Sequence, residues 1–356
     1  MKRFLGTLAV AVLAAGIGQP SHAFAQGMSG QRQPQGRAPA GNPNQAAPSL
    51  PPALQAAVTT GNPQAVRQAI NTLSGGNPAR AAELAVQTVI AAERMLQVNP
   101  QGAVQAAAAA IETVQASTVH QSSPGQTESV IAAASRIFVA PSAQQAAPEQ
   151  VAQLASATLQ VAVSTGNPAL AAQVATQAVS TAERILAVAP AAAVQIAAAA
   201  VQAVKNTPVL NSAPQESAQV ATTAARIILQ PEAQRVAPHE VAAIATAAVQ
   251  VVTSPVVYQA TPTAAVDVMA SAYAAVSSET VVAAVPTAMA SVRTELTQAA
   301  QVPVLNQANP THATAIDSIL AGKNPNTGQP LETVANPTPA TPQTGTEDET
   351  NQGSPT

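Results

Sequence analysis

The chain has 356 residues and contains no cysteine and no tryptophan. Phe and Tyr together number five, and only 9% of residues are charged, against about a quarter in an average soluble domain. Without cysteine there is no disulfide framework, no thiolate chemistry and no Cys-ligated metal site. Scarce basic and aromatic residues argue against a nucleic-acid surface, which needs a basic footprint and rings to stack on. The formal charge is −3 and scattered. No Gly-x-Ser-x-Gly, phosphate loop, dinucleotide fingerprint or His-x-x-x-His pair occurs. These absences predict a non-enzymatic protein with no catalytic, cofactor-binding or metal site.

What is present begins with an address. Lys2 and Arg3 precede an apolar run from Phe4 to Ile17, and Ala23-Phe24-Ala25 follows as an A-x-A cleavage pattern. This reads as a bacterial secretory signal peptide over 1–25. The run is too short for a membrane span of about 20 residues. Cleavage leaves 12 Lys plus Arg against 17 Asp plus Glu, with no transmembrane span in the mature chain. The expected destination is periplasm, cell surface or medium.

Residues 26–50 are rich in Gln, Pro, Gly and Asn, and 306–356 in Asn, Pro, Thr and Gln. Such composition buries too little apolar surface to offset chain entropy, so both segments are expected to be disordered. Between them, 51–305 is alanine-rich and repetitive. Residues 77–166 align with 167–256 at an offset of 90 without a gap, and 41 of the 90 positions are identical. The proline pairs Pro78/Pro168, Pro100/Pro190, Pro124/Pro214, Pro141/Pro231 and Pro148/Pro238 all coincide, as do Glu93-Arg94 with Glu183-Arg184 and Arg136-Ile137 with Arg226-Ile227. Alanine bias alone would not align these. Within each unit, Arg, two apolar residues and a later Pro recur, which suggests two helical pairs per unit. Degenerate copies flank the doublet at 51–76 and 257–305.

Alanine is about a quarter of the chain and has the best helix propensity. Proline, held at φ near −65°, suits the first helical position, behind caps such as Asn77, Asn99, Ser123 and Asn167. Helices are expected at about 78–98, 100–118, 124–140 and 148–164, with counterparts 90 residues on. The spacing of Leu84, Val86, Val89, Ile90, Met95 and Leu96 is a helical stripe rather than a strand alternation. The fold class is therefore all-α: tandem helical hairpins in a duplicated 90-residue unit, stacked as a solenoid-like array or an elongated bundle. The proline junctions either kink the helices or reverse them, and the reversal is preferred because an amphipathic helix must bury its face on a neighbour.

Few polar features recur. Arg94, Arg136, Arg184 and Arg226 fall in the last turns of expected helices, where a cation complements the helix dipole. Glu93 and Glu183 could pair with arginines of neighbouring helices. The sharper alternative is an arginine ridge gripping an anionic polymer. His120 and His239 read as surface residues, and His312 falls in the tail. The expected function is a secreted structural or protein-interaction protein, whose partner is another protein or a second copy of itself. The alternative is a binding module for an apolar or anionic polymeric ligand along the array. The sequence names no small-molecule ligand.

Overall fold

A computed structural model describes residues 50–331. The leader at 1–25, all but the last residue of 26–50, and 332–356 lie outside the described residues. In chain order the first helices are α1 (Pro52–Thr60), α2 (Pro63–Ser74), α3 (Pro78–Met95), α4 (Pro100–Gln115), α5 (Ser117–Ser122), α6 (Pro124–Val139) and α7 (Pro141–Ala146). Next come α8 (Pro148–Ser164), α9 (Pro168–Ile185), α10 (Pro190–Val204), α11 (Thr207–Ser212), α12 (Pro214–Ile228), α13 (Pro231–Val236) and α14 (Pro238–Val252). The last are α15 (Pro255–Ala260), α16 (Pro262–Val276), α17 (Glu279–Ala284), α18 (Ala288–Ala300), α19 (Pro303–Ala308) and α20 (His312–Leu320). No strand occurs among the described residues, and the fold is an all-α array.

Proline sets the helix starts. Pro100, Pro124 and Pro148 open helices 24 residues apart, as do Pro190, Pro214, Pro238 and Pro262. The residue ahead of each of these is barred from the helical region by the proline ring. Asn99, Ser123, Ala147, Ala189, Ala213, Ala237 and Thr261 accordingly share φ between −139° and −152°. That single residue stops one helix and turns the chain into the next. The α3–α4 and α9–α10 junctions reverse the chain, because each pair packs side by side along its length.

The long helices form two layers. One stacks α2, α4, α8, α10, α14 and α18, and the other stacks α3, α6, α9, α12, α16 and α20. Beyond α1, each long helix packs chiefly on its chain neighbours and on the next member of its own layer. That is the nearest-neighbour order of a solenoid. Alanine makes it compact: Ala82, Ala85, Ala106, Ala107, Ala134, Ala175, Ala197 and Ala224 are fully buried between layers, with Ile, Leu and Val filling the wider gaps. Six-residue helices (α5, α7, α11, α13, α15, α17 and α19) close most of the corners; the sequence reading had folded them into longer helices or loops.

The expected tail at 306–356 begins too early. Residues 306–320 complete α19 and form α20, and 321–331 fold into a hook with Lys323 bridged to Pro330. Leu305, Ile316 and Ile319 are fully buried. Helices this short are marginal alone and are stabilised by tertiary packing, α19 chiefly on α15 and α20 on α16 and α18. Composition counts the prolines and asparagines of this segment but not its buried apolar anchors, Ile316 and Ile319.

Candidate interaction surface

The polar ladders follow from the stacking register. In the second layer, Arg136 on α6 grips Glu93 on α3 with two parallel bonds, Nε to Oε1 at 2.6 Å and Nη2 to Oε2 at 3.1 Å. One repeat later, Arg226 on α12 meets Glu183 on α9 at 3.1 Å. The bond to Glu93 holds the Arg136 guanidinium charged above its ordinary pKa. In the first layer the step is 45 residues. Arg67 on α2 pairs with Glu112 on α4, Gln115 reaches Gln160 at 3.4 Å, and Gln250 reaches Glu295 at 2.7 Å. Positions 115, 160, 205, 250 and 295 thus climb the layer at 45-residue intervals, half of the 90-residue unit, in keeping with two helical pairs per unit.

All four singled-out arginines sit in the last turn of their helices. They do not form one ridge of free cations. Arg136 and Arg226 are neutralised by Glu93 and Glu183, while Arg94 and Arg184 are exposed and make no ion pair among the described residues. The pairs themselves are largely solvated, so each contributes about 0–1 kcal/mol.

Repeated corner residues do more, and the sequence reading missed them. The fourth residue of the short helices turns inward. Gln144 of α7, buried, donates Nε2–H to the carbonyls of Phe138 and Val139 at 3.1 and 2.9 Å. Gln234 of α13 does the same to Ile228 at 2.9 Å, and Asn306 of α19 to Ala300 at 3.0 Å. Each amide satisfies carbonyls that the ending helix leaves open. The signal was available: Pro-x-Ala-Gln recurs at 141–144 and 231–234. His120 occupies the same place in α5 and is half-buried, with its Nδ1 unpartnered. His239 is exposed, as expected of it. His312 is fully buried rather than part of a tail.

Apolar clefts open between neighbouring helices, one of about 430 Å³ between α1 and α2 and another in the middle of the array. Between α8 and α10, Leu159, Val163, Ala198, Ala199 and Ala203 line a cleft of about 460 Å³, flanked by Ser156, Gln160, Gln202 and Asn206. No charge lines it. A further cleft of about 490 Å³ lies on the other layer, where the hook crosses α16 and Asn326 donates to Asp267 at 2.9 Å. There the chain itself covers the space between α12 and α16.

No family model, curated protein or solved structure matches this chain. Among the described residues, no group of three or more His, Asp or Glu is placed to hold a metal ion. No described helix is long and apolar enough to cross a membrane.

Proposed function

We propose that this chain is an exported, non-enzymatic scaffold of the bacterial envelope or cell exterior. Its stacked helices present an extended face to a protein partner or to a second copy. Export rests on the leader pattern at 1–25. The interaction role rests chiefly on the α8–α10 groove, an uncharged apolar cleft in the outer surface of one layer. Small side chains there let a partner backbone or helix approach closely. Neutral flanking residues, Gln160 and Gln202, supply hydrogen bonds without desolvating a charge. A second reading, a binding module for an apolar ligand, draws on the same groove, whose volume falls within the usual few hundred Å³ of ligand sites. The anionic-polymer form of that reading has less support, since two of the four arginines are already paired with carboxylates.

The test is site-resolved photocrosslinking in cells that export the protein. A photoreactive residue at Gln202, beside the groove, should yield a discrete adduct. The same residue at Arg80, on the other layer, should not. Ala199→Glu should erase the Gln202 adduct while leaving helicity intact. Equal adducts from both positions, or an adduct indifferent to Ala199→Glu, would refute the groove as the interaction face. Light scattering on residues 26–356 then separates self-association, in which mass climbs with concentration, from a foreign partner.

A further inference from the structure

The C-terminal end of the array holds a buried polar cluster that packing alone does not explain. His312, the first residue of α20, is fully buried. Its Nε2 lies 3.1 Å from the carbonyl oxygen of Ala299, at the end of α18. A carbonyl only accepts, so Nε2 carries the proton and Nδ1 is the bare nitrogen. That Nδ1 has no partner. The ring stands edge-on to Tyr258 of α15, with centroids 4.6 Å apart and planes at 75°. The Tyr258 hydroxyl, also buried, faces the Asn309 side chain at the end of α19 without completing a well-formed hydrogen bond.

We infer that His312 is an acid-sensitive latch: neutral, it seats α20 on the array, and protonated at Nδ1, it releases α20. Three features support this. A proton on Nδ1 would place an N–H in an apolar seam with no acceptor. It would also place a positive charge at the N-terminus of a helix, where the dipole opposes it. And no carboxylate stands ready to receive it. α15 and α19 contribute no charged residue to the seam, only the phenol of Tyr258 from α15. On α16, Asp267 accepts from Asn326, and the Tyr273 hydroxyl accepts from Arg293 of α18. Glu295 of α18 accepts from Gln250, and Asp317 of α20 itself is exposed. His312 makes no ion pair with any of them. Burial accordingly pushes its pKa below the ordinary histidine value, against a smaller upward pull from the Ala299 carbonyl.

The sign follows. A base whose folded pKa is depressed binds its proton more readily when released, so the seated state weakens as pH falls below about 6.5 and stops weakening below the folded pKa. What comes away with α20 are Ile316 and Ile319, which uncover apolar surface on α16 and α18. The device would confine an acid response to one end of the array.

Hydrogen exchange on the full mature chain, corrected for the intrinsic pH dependence of exchange, tests this. The opening constant of α20 amides should rise about tenfold per pH unit below 6.5, while α9 and α10 amides stay unchanged. His312→Phe, which keeps a buried ring without a titrating group, should flatten the α20 response. A flat wild-type profile, or a His312→Phe profile as steep as wild type, overturns the latch. If His312→Phe fails to seat α20 at pH 7, the wild-type imidazole titration followed by NMR decides. A midpoint below the ordinary value upholds the latch, and a midpoint at about 6.5 overturns it.

Discussion

Gly61 offers the sharpest test of how the array closes at its N-terminal end. It caps α1 in the left-handed region, at φ 65°, with its N–H bonded to the carbonyl of Val58. A Cβ placed there would lie 2.7 Å from the Cα of Gly102, in the first turn of α4. Gly166 sits in the same Gly-Asn-Pro motif at φ 71°, yet a Cβ there meets nothing within 4 Å. Both Gly→Ala variants therefore carry the left-handed cost of about 1–2 kcal/mol, partly offset by a stiffer unfolded chain. Only Gly61→Ala adds a backbone collision, and overpacking of that kind costs about 1–3 kcal/mol more. Because the ends of a stacked array open independently of its middle, the loss should be local. Amides of α1 and α2 in Gly61→Ala should lose roughly 5- to 140-fold more protection than amides of α8 and α9 in Gly166→Ala, at tenfold per 1.4 kcal/mol. Helicity by circular dichroism should barely change in either. Equal losses in the two variants would refute the close approach of α1 to α4. The same crowding accounts for a difference between the repeats. Asn99 caps Gly102 in the first unit, and an Ala Cβ at 102 would meet the Asn99 amide at 2.5 Å; the second unit carries Ala189 and Ala192 at these positions.

Gln144→Ala should destabilise by about 1–3 kcal/mol, because it strands the buried carbonyl of Phe138 and the half-buried one of Val139 at the end of α6; urea unfolding measures it, and an effect within error would mean that water takes the place of the amide. Asn77→Ala should cost about 1 kcal/mol as a lost N-cap. Asn167→Ala should cost more, since that side chain both caps α9 and donates to Glu128 at 3.0 Å. A double-mutant cycle on Glu93 and Arg136 should return a coupling below about 1 kcal/mol that shrinks in high salt. Tyr258→Phe removes a buried hydroxyl that meets only the Asn309 side chain, without a well-formed bond, and should leave the melting temperature within a few degrees of wild type. A drop of several degrees would show that the hydroxyl is satisfied in solution.

The sequence by itself determined the long helices of the duplicated units and their starts. A proline ring fixes φ and bars the preceding residue from the helix, so Pro100, Pro124, Pro190 and Pro214 mark boundaries whatever surrounds them. Alanine supplies propensity without needing context, and the 90-residue offset shows that whatever α3 to α8 build, the following residues build again. These are local or self-referential signals, legible in one dimension. Only the tertiary structure decided which helix lies beside which. The pairing of Glu93 with Arg136, rather than with the adjacent Arg94, depends on α6 stacking on α3 at a step of 43 residues. The groove between α8 and α10 exists because two helices separated in the chain by α9 become neighbours in one layer. Residues 306–331 show the same division. Their composition speaks for a tail, but Ile316 and Ile319 find a waiting surface on the array, and burial outweighs a weak local code. His312 followed them inside, where an imidazole that sequence alone leaves in solvent becomes a neutral, buried base.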